Sequence, residues 1–123
     1  FNDMAWHTIE KAVDQDVLSF ERAAMAPAML LPFEPEEMVS PVFGHIFAGG
    51  YSAGYYSYKW SEVLEADAFQ LFLERGIFDR ATAASYYEHI LSKGGSEHPM
   101  ILYKRFRGSE PSVDALLARD GLK

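Results

Sequence analysis

Glycine residues divide the second half of this 123-residue chain into segments of helical length. Gly76, the pair Gly94 and Gly95, Gly108, and Gly121 each follow a run with the spacing of one apolar helix face. Helices often end at such a glycine because it adopts a left-handed conformation at little steric cost. No run shows the alternation of apolar and polar side chains that is typical of strands. The sequence therefore predicts an all-α protein of about five or six helices, one of them long and central.

Side chains that can cap helices mark where the predicted helices begin. The candidate caps are Asn2 or Asp3, Asp14 or Asp16, Asp79, and Ser96. Four prolines between positions 27 and 41 predict a long loop, because each removes a backbone donor and restricts the residue before it. Several apolar side chains in this loop indicate that it packs on something: Met29, Leu30, Leu31 and Phe33.

Charge and composition exclude several classes of function. The net charge is −7, and nucleic acid or an anionic membrane requires a basic face. Half of the residues, 49%, are hydrophobic, which is enough for a packed core. The chain has no cysteine, shows no run of roughly 20 apolar residues, and does not begin with a signal-peptide pattern. We expect a cytoplasmic protein.

The segment HIFAGGYSAGYYSYKW, residues 45–60, concentrates one histidine, three glycines and four tyrosines. Gly49 and Gly50 predict a loop, and a helix is predicted to follow from Tyr51. On that helix Tyr51, Tyr55 and Tyr58 would share one stripe, and its first half would be buried. An imidazole and phenols can donate hydrogen bonds to a carbonyl that becomes an oxyanion. Core packing explains aromatic residues at this spacing equally well.

The same segment carries a resemblance to a known family. GHIFAGGYSAGYYSYKWSEVLEADAF, residues 44–69, resembles the thimet oligopeptidase family of zinc metallopeptidases, most of all its bacterial oligopeptidase and peptidyl-dipeptidase members. The resemblance continues through GIFDRATAASYYEHILSKGGSEHPMILYKRFRGSEPSVDALLARDGL and covers the chain from about position 41 onward. The first forty residues are less similar. The likeness implies the hydrolysis of short peptides.

The resemblance also implies a cofactor that these residues do not hold themselves. Members of the family bind one catalytic Zn²⁺ through two histidines of an HExxH helix and a further glutamate. The four histidines of this chain include no pair separated by three residues. The resemblance thus implies that residues 1–123 are the C-terminal segment of a helical, zincin-type catalytic domain whose zinc-binding part precedes Phe1. We assign no metal ligand within this chain and expect the segment alone to be inactive.

Site residues follow from the family pattern by position. The histidine before the two glycines and the tyrosine seven residues after Tyr51 correspond to His45 and Tyr58, which the resemblance implies are catalytic. The resemblance implies a substrate-binding role for Tyr51 and for the adjoining Gly49 and Gly50. Tyr55 is a further substrate-binding candidate because it would share the helix stripe of Tyr51 and Tyr58, although core packing explains it equally well. The implied partners are short peptides and the remainder of the same enzyme, and either endopeptidase or dipeptidyl action remains open. The alternative is a non-catalytic helical module that binds another protein through its apolar loop and aromatic side chains.

Overall fold

The computed structural model describes all of residues 1–123 and contains helices and turns but no strand. Six α-helices follow one another: α1 Asn2–His7, α2 Val17–Met25, α3 Ser57–Arg75, α4 Arg80–Tyr86, α5 Pro99–Arg107 and α6 Asp114–Arg119. Shorter helical turns lie at Ala26–Ala28, Gly44–Ile46 and Tyr87–Leu91. The predicted all-α class is confirmed, and so is the long central helix, since α3 has 19 residues.

Several helix boundaries are set by neighbouring residues. The carboxylates of Asp16 and Asp79 cap α2 and α4 by accepting backbone N–H bonds of 3.0 and 2.7 Å, which satisfies donors that a helix start leaves unpaired. Helix α5 ends at Gly108, whose φ of 86° is left-handed. The predicted cap at Ser96 is wrong, because His98 is the residue that caps α5.

The chain forms two compact units, Phe1–Ser57 and Tyr58–Lys123. In the first, the ring centroids of Trp6 and Phe20 lie 4.0 Å apart, which packs α1 against α2. Ile46 is the buried apolar side chain of this unit. A unit with so little apolar core depends strongly on hydrogen bonds for its structure.

A buried carboxylate supplies many of those hydrogen bonds. Glu21 of α2 accepts bonds of 2.7 Å from the Val39 and Ser40 amides and of 2.6 Å from the Ser40 hydroxyl. The Ser40 oxygen in turn accepts bonds from the side chains of Asn2 and Trp6, at 2.9 and 2.8 Å. This network ties α1, α2 and the proline-rich loop together.

The second unit is held mainly by apolar contacts between helices. Its buried apolar side chains come from α3 and α5: Val63, Ala66, Leu71, Leu102, Tyr103 and Phe106. Phe72, Tyr86 and Phe106 bring α3, α4 and α5 together, with ring centroids 5.1 to 6.2 Å apart. Such spacings allow edge-on and tilted aromatic contacts.

The start of the central helix differs from the prediction. Helix α3 begins at Ser57, and the residues between Tyr51 and Ser57 form turns instead. Ala53 takes a left-handed φ of 55°, which a helix cannot contain. The predicted stripe shared by Tyr51, Tyr55 and Tyr58 is therefore wrong. The predicted burial is also wrong, because Tyr58 is 61% exposed and the buried stripe of α3 starts at Val63.

Candidate functional site

The first unit brings three of the predicted site residues into one aromatic cluster. The ring of His45 lies 5.0 Å from that of Tyr51 and 5.6 Å from that of Tyr55, measured between centroids. Phe43 closes the cluster at 4.7 Å from the Tyr55 ring. His45 and Tyr51 are exposed, whereas Tyr55 and Phe43 are half-buried. The cluster therefore presents an imidazole and a phenol to solvent on a base of packed rings.

The two glycines before Tyr51 fit this arrangement for a steric reason. Gly49 and Gly50 have φ values of 78° and 80°, a region that side chains with a Cβ rarely adopt. A Cβ atom on Gly49 would stand 3.2 Å from two ring carbons of Tyr51. Glycine at this position thus lets the Tyr51 ring lie against the backbone beside His45. The roles of Gly49 and Gly50 in substrate binding remain predictions.

A carboxylate from α1 holds the loop that carries the tyrosines. Asp3 accepts backbone N–H bonds from Ala53 at 2.9 Å and from Tyr55 at 3.1 Å, and its side chain is only 14% exposed. His7, one turn later on α1, places Nδ1 3.1 Å from the same carboxylate. Burial acts to raise the pKa of Asp3, but the two amide bonds and His7 outweigh it and leave that pKa below its ordinary value.

This carboxylate also explains why α3 does not begin at Tyr51. In a helix that began at Tyr51, the Tyr55 amide would bond to the Tyr51 carbonyl, but it donates to Asp3 instead. The sequence predicts Asn2 or Asp3 as a cap for α1, but α1 has no side-chain cap. Asp3 and Ala53 are fifty positions apart in the sequence, so no local sequence pattern can predict the contact.

Tyr58 belongs to the second unit, where it lies in the first turn of α3 with its side chain 61% exposed. Its neighbour Tyr56, in the turn before the helix, is similarly exposed at 67%. An exposed phenol at a helix start is accessible to a ligand. The catalytic role of Tyr58 remains a prediction.

A buried polar group in the second unit has a different character. The Tyr103 hydroxyl donates a 2.6 Å bond to Asp67, and Arg107 Nε lies 3.4 Å from the same carboxylate. Burial, together with that carboxylate, raises the pKa of Tyr103. All three side chains lie within or at the edge of the packed α3 and α5 helices. The bond pairs the Tyr103 hydroxyl with the Asp67 carboxylate, as a structural contact does, whereas Arg107 Nε makes no hydrogen bond.

The second unit also has an open apolar groove of about 730 Å³. Its lining comes from α3, the segment following α4, and α5, and includes Trp60, Leu64, Phe72, Ile90 and Met100. None of the predicted site residues lines this groove.

The chain has neither a cluster of metal-binding side chains nor a membrane-spanning helix. No group of three or more His, Asp or Glu side chains is placed to hold a metal ion, so the residues present do not form a zinc site. No helix is both long enough and apolar enough to cross a bilayer.

The sequence of the chain is similar to those of several known peptidases. The chain is 63% identical to oligopeptidase A of Escherichia coli over 81 residues, which are 66% of the chain and 12% of that protein. It is 42% identical to a dipeptidyl carboxypeptidase of Salmonella typhimurium over 122 residues, covering 98% of the chain and 18% of the relative. A probable cytosolic oligopeptidase A of Arabidopsis thaliana is 40% identical over 88% of the chain and 16% of its own length.

The chain thus spans less than a fifth of the length of these curated relatives. The sequence model of peptidase family M3 matches it from residue 2 to residue 122, and this agrees with the resemblance seen in the glycine and tyrosine segment. The chain belongs to peptidase family M3.

Proposed function

We propose that these residues are part of a zinc-dependent oligopeptidase or peptidyl-dipeptidase that hydrolyses short peptides in the cytoplasm. The observation that carries the proposal is the cluster of His45, Tyr51 and Tyr55, in which the imidazole and one phenol face solvent. Family membership and relatives named oligopeptidase A and dipeptidyl carboxypeptidase support it.

The zinc-binding part of this proposed enzyme lies outside residues 1–123. The chain contains no HExxH sequence and no cluster of metal-binding side chains, and it corresponds to only 12–18% of its relatives. A zinc ion held by the remainder of the complete protein would activate a water molecule as the nucleophile. The remainder of the enzyme is accordingly the principal partner of this chain.

The contribution of this chain is to bind the peptide and to stabilise negative charge. His45 and Tyr51 are exposed residues, and an imidazole and a phenol can donate hydrogen bonds to a peptide carbonyl. Tyr55 is half-buried against Phe43 and fits a role at the base of the binding surface. Tyr58 donates its phenolic proton in a hydrogen bond to the oxyanion that forms when the scissile carbonyl is attacked.

Comparison of two neighbouring tyrosines in the complete polypeptide tests the proposal. Tyr58→Phe is expected to lower kcat by about 10²–10³ with little change in KM, because an oxyanion donor acts mainly in the transition state. Tyr56→Phe is the matched control, since Tyr56 is two residues away and similarly exposed. It is expected to leave kcat within about twofold, as surface substitutions usually do.

The measurement is steady-state hydrolysis of a short fluorogenic peptide by variants with equal zinc content and equal melting temperature. A kcat for Tyr58→Phe within about threefold of that of the parent enzyme would show that Tyr58 is not catalytic, because the loss of one oxyanion donor costs more than this. A protein-interaction module would show no hydrolysis in any variant, and the complete reading frame would then lack an HExxH sequence.

A further inference from the structure

We propose that Asp3 is a positioning residue that holds the loop of residues 51–56 in the conformation that binds substrate. The inference rests on the proposed function, because it takes Tyr51 and Tyr55 to be substrate-binding. It goes beyond that function by assigning the preorganisation of the site to one carboxylate of α1.

The bonding pattern of the loop supports this role. Within the loop, the Gly54 amide bonds to the Tyr51 carbonyl at 2.9 Å and the Ser57 amide to the Gly54 carbonyl at 3.1 Å. The two amides that alternate with these, from Ala53 and Tyr55, bond instead to the carboxylate of Asp3. Asp3 therefore pairs two loop amides that the backbone of the loop leaves unpaired, one of them at the left-handed residue Ala53.

The position of Asp3 is itself well fixed. The residue before it, Asn2, is 6% exposed and donates a 2.9 Å bond to the Ser40 hydroxyl. Trp6 of the same helix donates to the same oxygen. His7 contacts both the Asp3 carboxylate, at 3.1 Å, and the Asp3 carbonyl, at 2.7 Å. Because these contacts hold α1 in place, they also fix the position of the Asp3 carboxylate to which the loop amides bond.

Loss of the anchor has a specific kinetic consequence. If the loop is in its binding conformation only a fraction of the time, the apparent affinity for substrate falls by that fraction, whereas the bound complex is unchanged. Asp3→Asn keeps the size of the side chain but removes the charge and one of the two acceptors. We expect KM to rise about tenfold, equivalent to a binding-competent fraction of about one tenth, with kcat within about twofold.

The experiment uses the complete polypeptide with Asp3→Asn, Asp3→Ala, and the control Asp16→Asn. Asp16 is an exposed cap of α2 in the same unit, so its variant reports the effect of losing a carboxylate elsewhere. Hydrogen exchange resolved to single amides is measured alongside KM and kcat. In both Asp3 variants the loop amides are expected to exchange at least tenfold faster, while those of Val39 and Ser40 stay unchanged.

Each outcome is decisive for one of the two proposals. Unchanged loop exchange in both Asp3 variants would overturn the positioning role, whatever the kinetics. A fall in kcat in both Asp3 variants with unchanged KM would overturn it too, because a smaller folded fraction of the enzyme lowers the apparent kcat and leaves KM unchanged. Faster exchange with unchanged KM and kcat would leave Asp3 as the loop anchor but remove Tyr51 and Tyr55 from the binding site.

Should both variants fail to fold, the parent protein still provides a test. The amides of Ala53 and Tyr55 are then expected to exchange more slowly than the neighbouring amide of Ser52. Equal exchange rates at the three positions would contradict the anchor.

Discussion

The two units of the chain are stabilised in different ways. In the unit formed by residues 1–57, the carboxylates of Asp3 and Glu21 accept five hydrogen bonds from loop amides and a hydroxyl. In the unit formed by residues 58–123, helices α3, α4 and α5 meet through buried apolar and aromatic side chains. Irregular backbone has unpaired donors that a side chain must satisfy, whereas helices satisfy their own.

This difference bears on where the candidate site lies. A loop held by a few hydrogen bonds can open locally without unfolding its surroundings, whereas a packed helical core opens only as a whole. The clustered residues His45, Tyr51 and Tyr55 lie in the unit of the first kind. Substrate-binding loops commonly need such local adjustment.

The largest expected effect tests the apolar half of this contrast. Phe106 is 5% exposed and contacts the rings of Phe72 and Tyr86. Phe106→Ala should lower the free energy of unfolding of the 123-residue chain by about 3–5 kcal/mol, because it removes apolar contacts and leaves a cavity. Urea unfolding followed by the helical circular dichroism signal measures the change.

Phe78→Ala serves as the matched control, since the Phe78 side chain is 95% exposed in the same unit. Its free energy of unfolding should stay within about 0.5 kcal/mol of the parent value. Equal effects of the two substitutions would show that the rings of Phe72, Tyr86 and Phe106 do not form a core.

A smaller effect tests the polar half. Burial acts to raise the pKa of Glu21, but hydrogen bonds from Ser40 and the Val39 amide outweigh it and leave that pKa below its ordinary value of 4.5. A carboxyl whose pKa is lower in the folded state stabilises the fold above the unfolded pKa. This stabilisation starts to disappear near pH 4.5 and is lost as pH falls through the lowered folded value. The first unit should therefore lose stability on acidification.

Glu21→Gln isolates this contribution. The amide presents a donor where the carboxylate accepted, so we expect a loss of about 1.5–3 kcal/mol at neutral pH, the range for hydrogen bonds to charged groups. The variant should also lose the part of the acid sensitivity that Glu21 causes. Fluorescence of Trp6 in a Trp60→Phe background reports the first unit, because these are the two tryptophans of the chain. Identical pH profiles with and without Glu21 would contradict the argument.

The parts of the fold that the sequence predicted are those set by neighbouring residues. Asp16 and Asp79 cap their helices through bonds to residues three positions later, and Gly108 ends α5 with its own left-handed φ. The predicted start of α3 is wrong because Ala53 has a left-handed φ and because Asp3, some fifty residues earlier, accepts a hydrogen bond from the Tyr55 amide. A helical spacing of tyrosines cannot reveal a competing acceptor so distant in sequence.

The candidate site shows the same division. The resemblance indicated His45, Tyr51 and Tyr58, and the helical spacing added Tyr55. The structure clusters the rings of His45, Tyr51 and Tyr55. The reason for the clustering was mispredicted, since the residues meet across turns and a glycine pair rather than along one helix face. Asp3 was overlooked because its role depends on a tertiary contact.

The smallest expected effect concerns the proline-rich loop of the first unit. The sequence predicted that its apolar side chains pack on something, and the structure separates two cases. Phe33 is half-buried, with the Arg22 guanidinium 5.7 Å from its ring centroid, whereas Leu30 is 97% exposed. Leu30→Ala should therefore change the free energy of unfolding of the 123-residue chain by less than about 0.5 kcal/mol.

Phe33→Ala should lower the free energy of unfolding by more, because it removes a cation–π contact of about 0.5–1 kcal/mol as well as buried area. Urea unfolding of both variants, followed by Trp6 fluorescence in the Trp60→Phe background, ranks them. A larger loss for Leu30→Ala than for Phe33→Ala would show that Leu30 is covered within this chain and that the loop, rather than the carboxylates, supplies the missing core of the first unit.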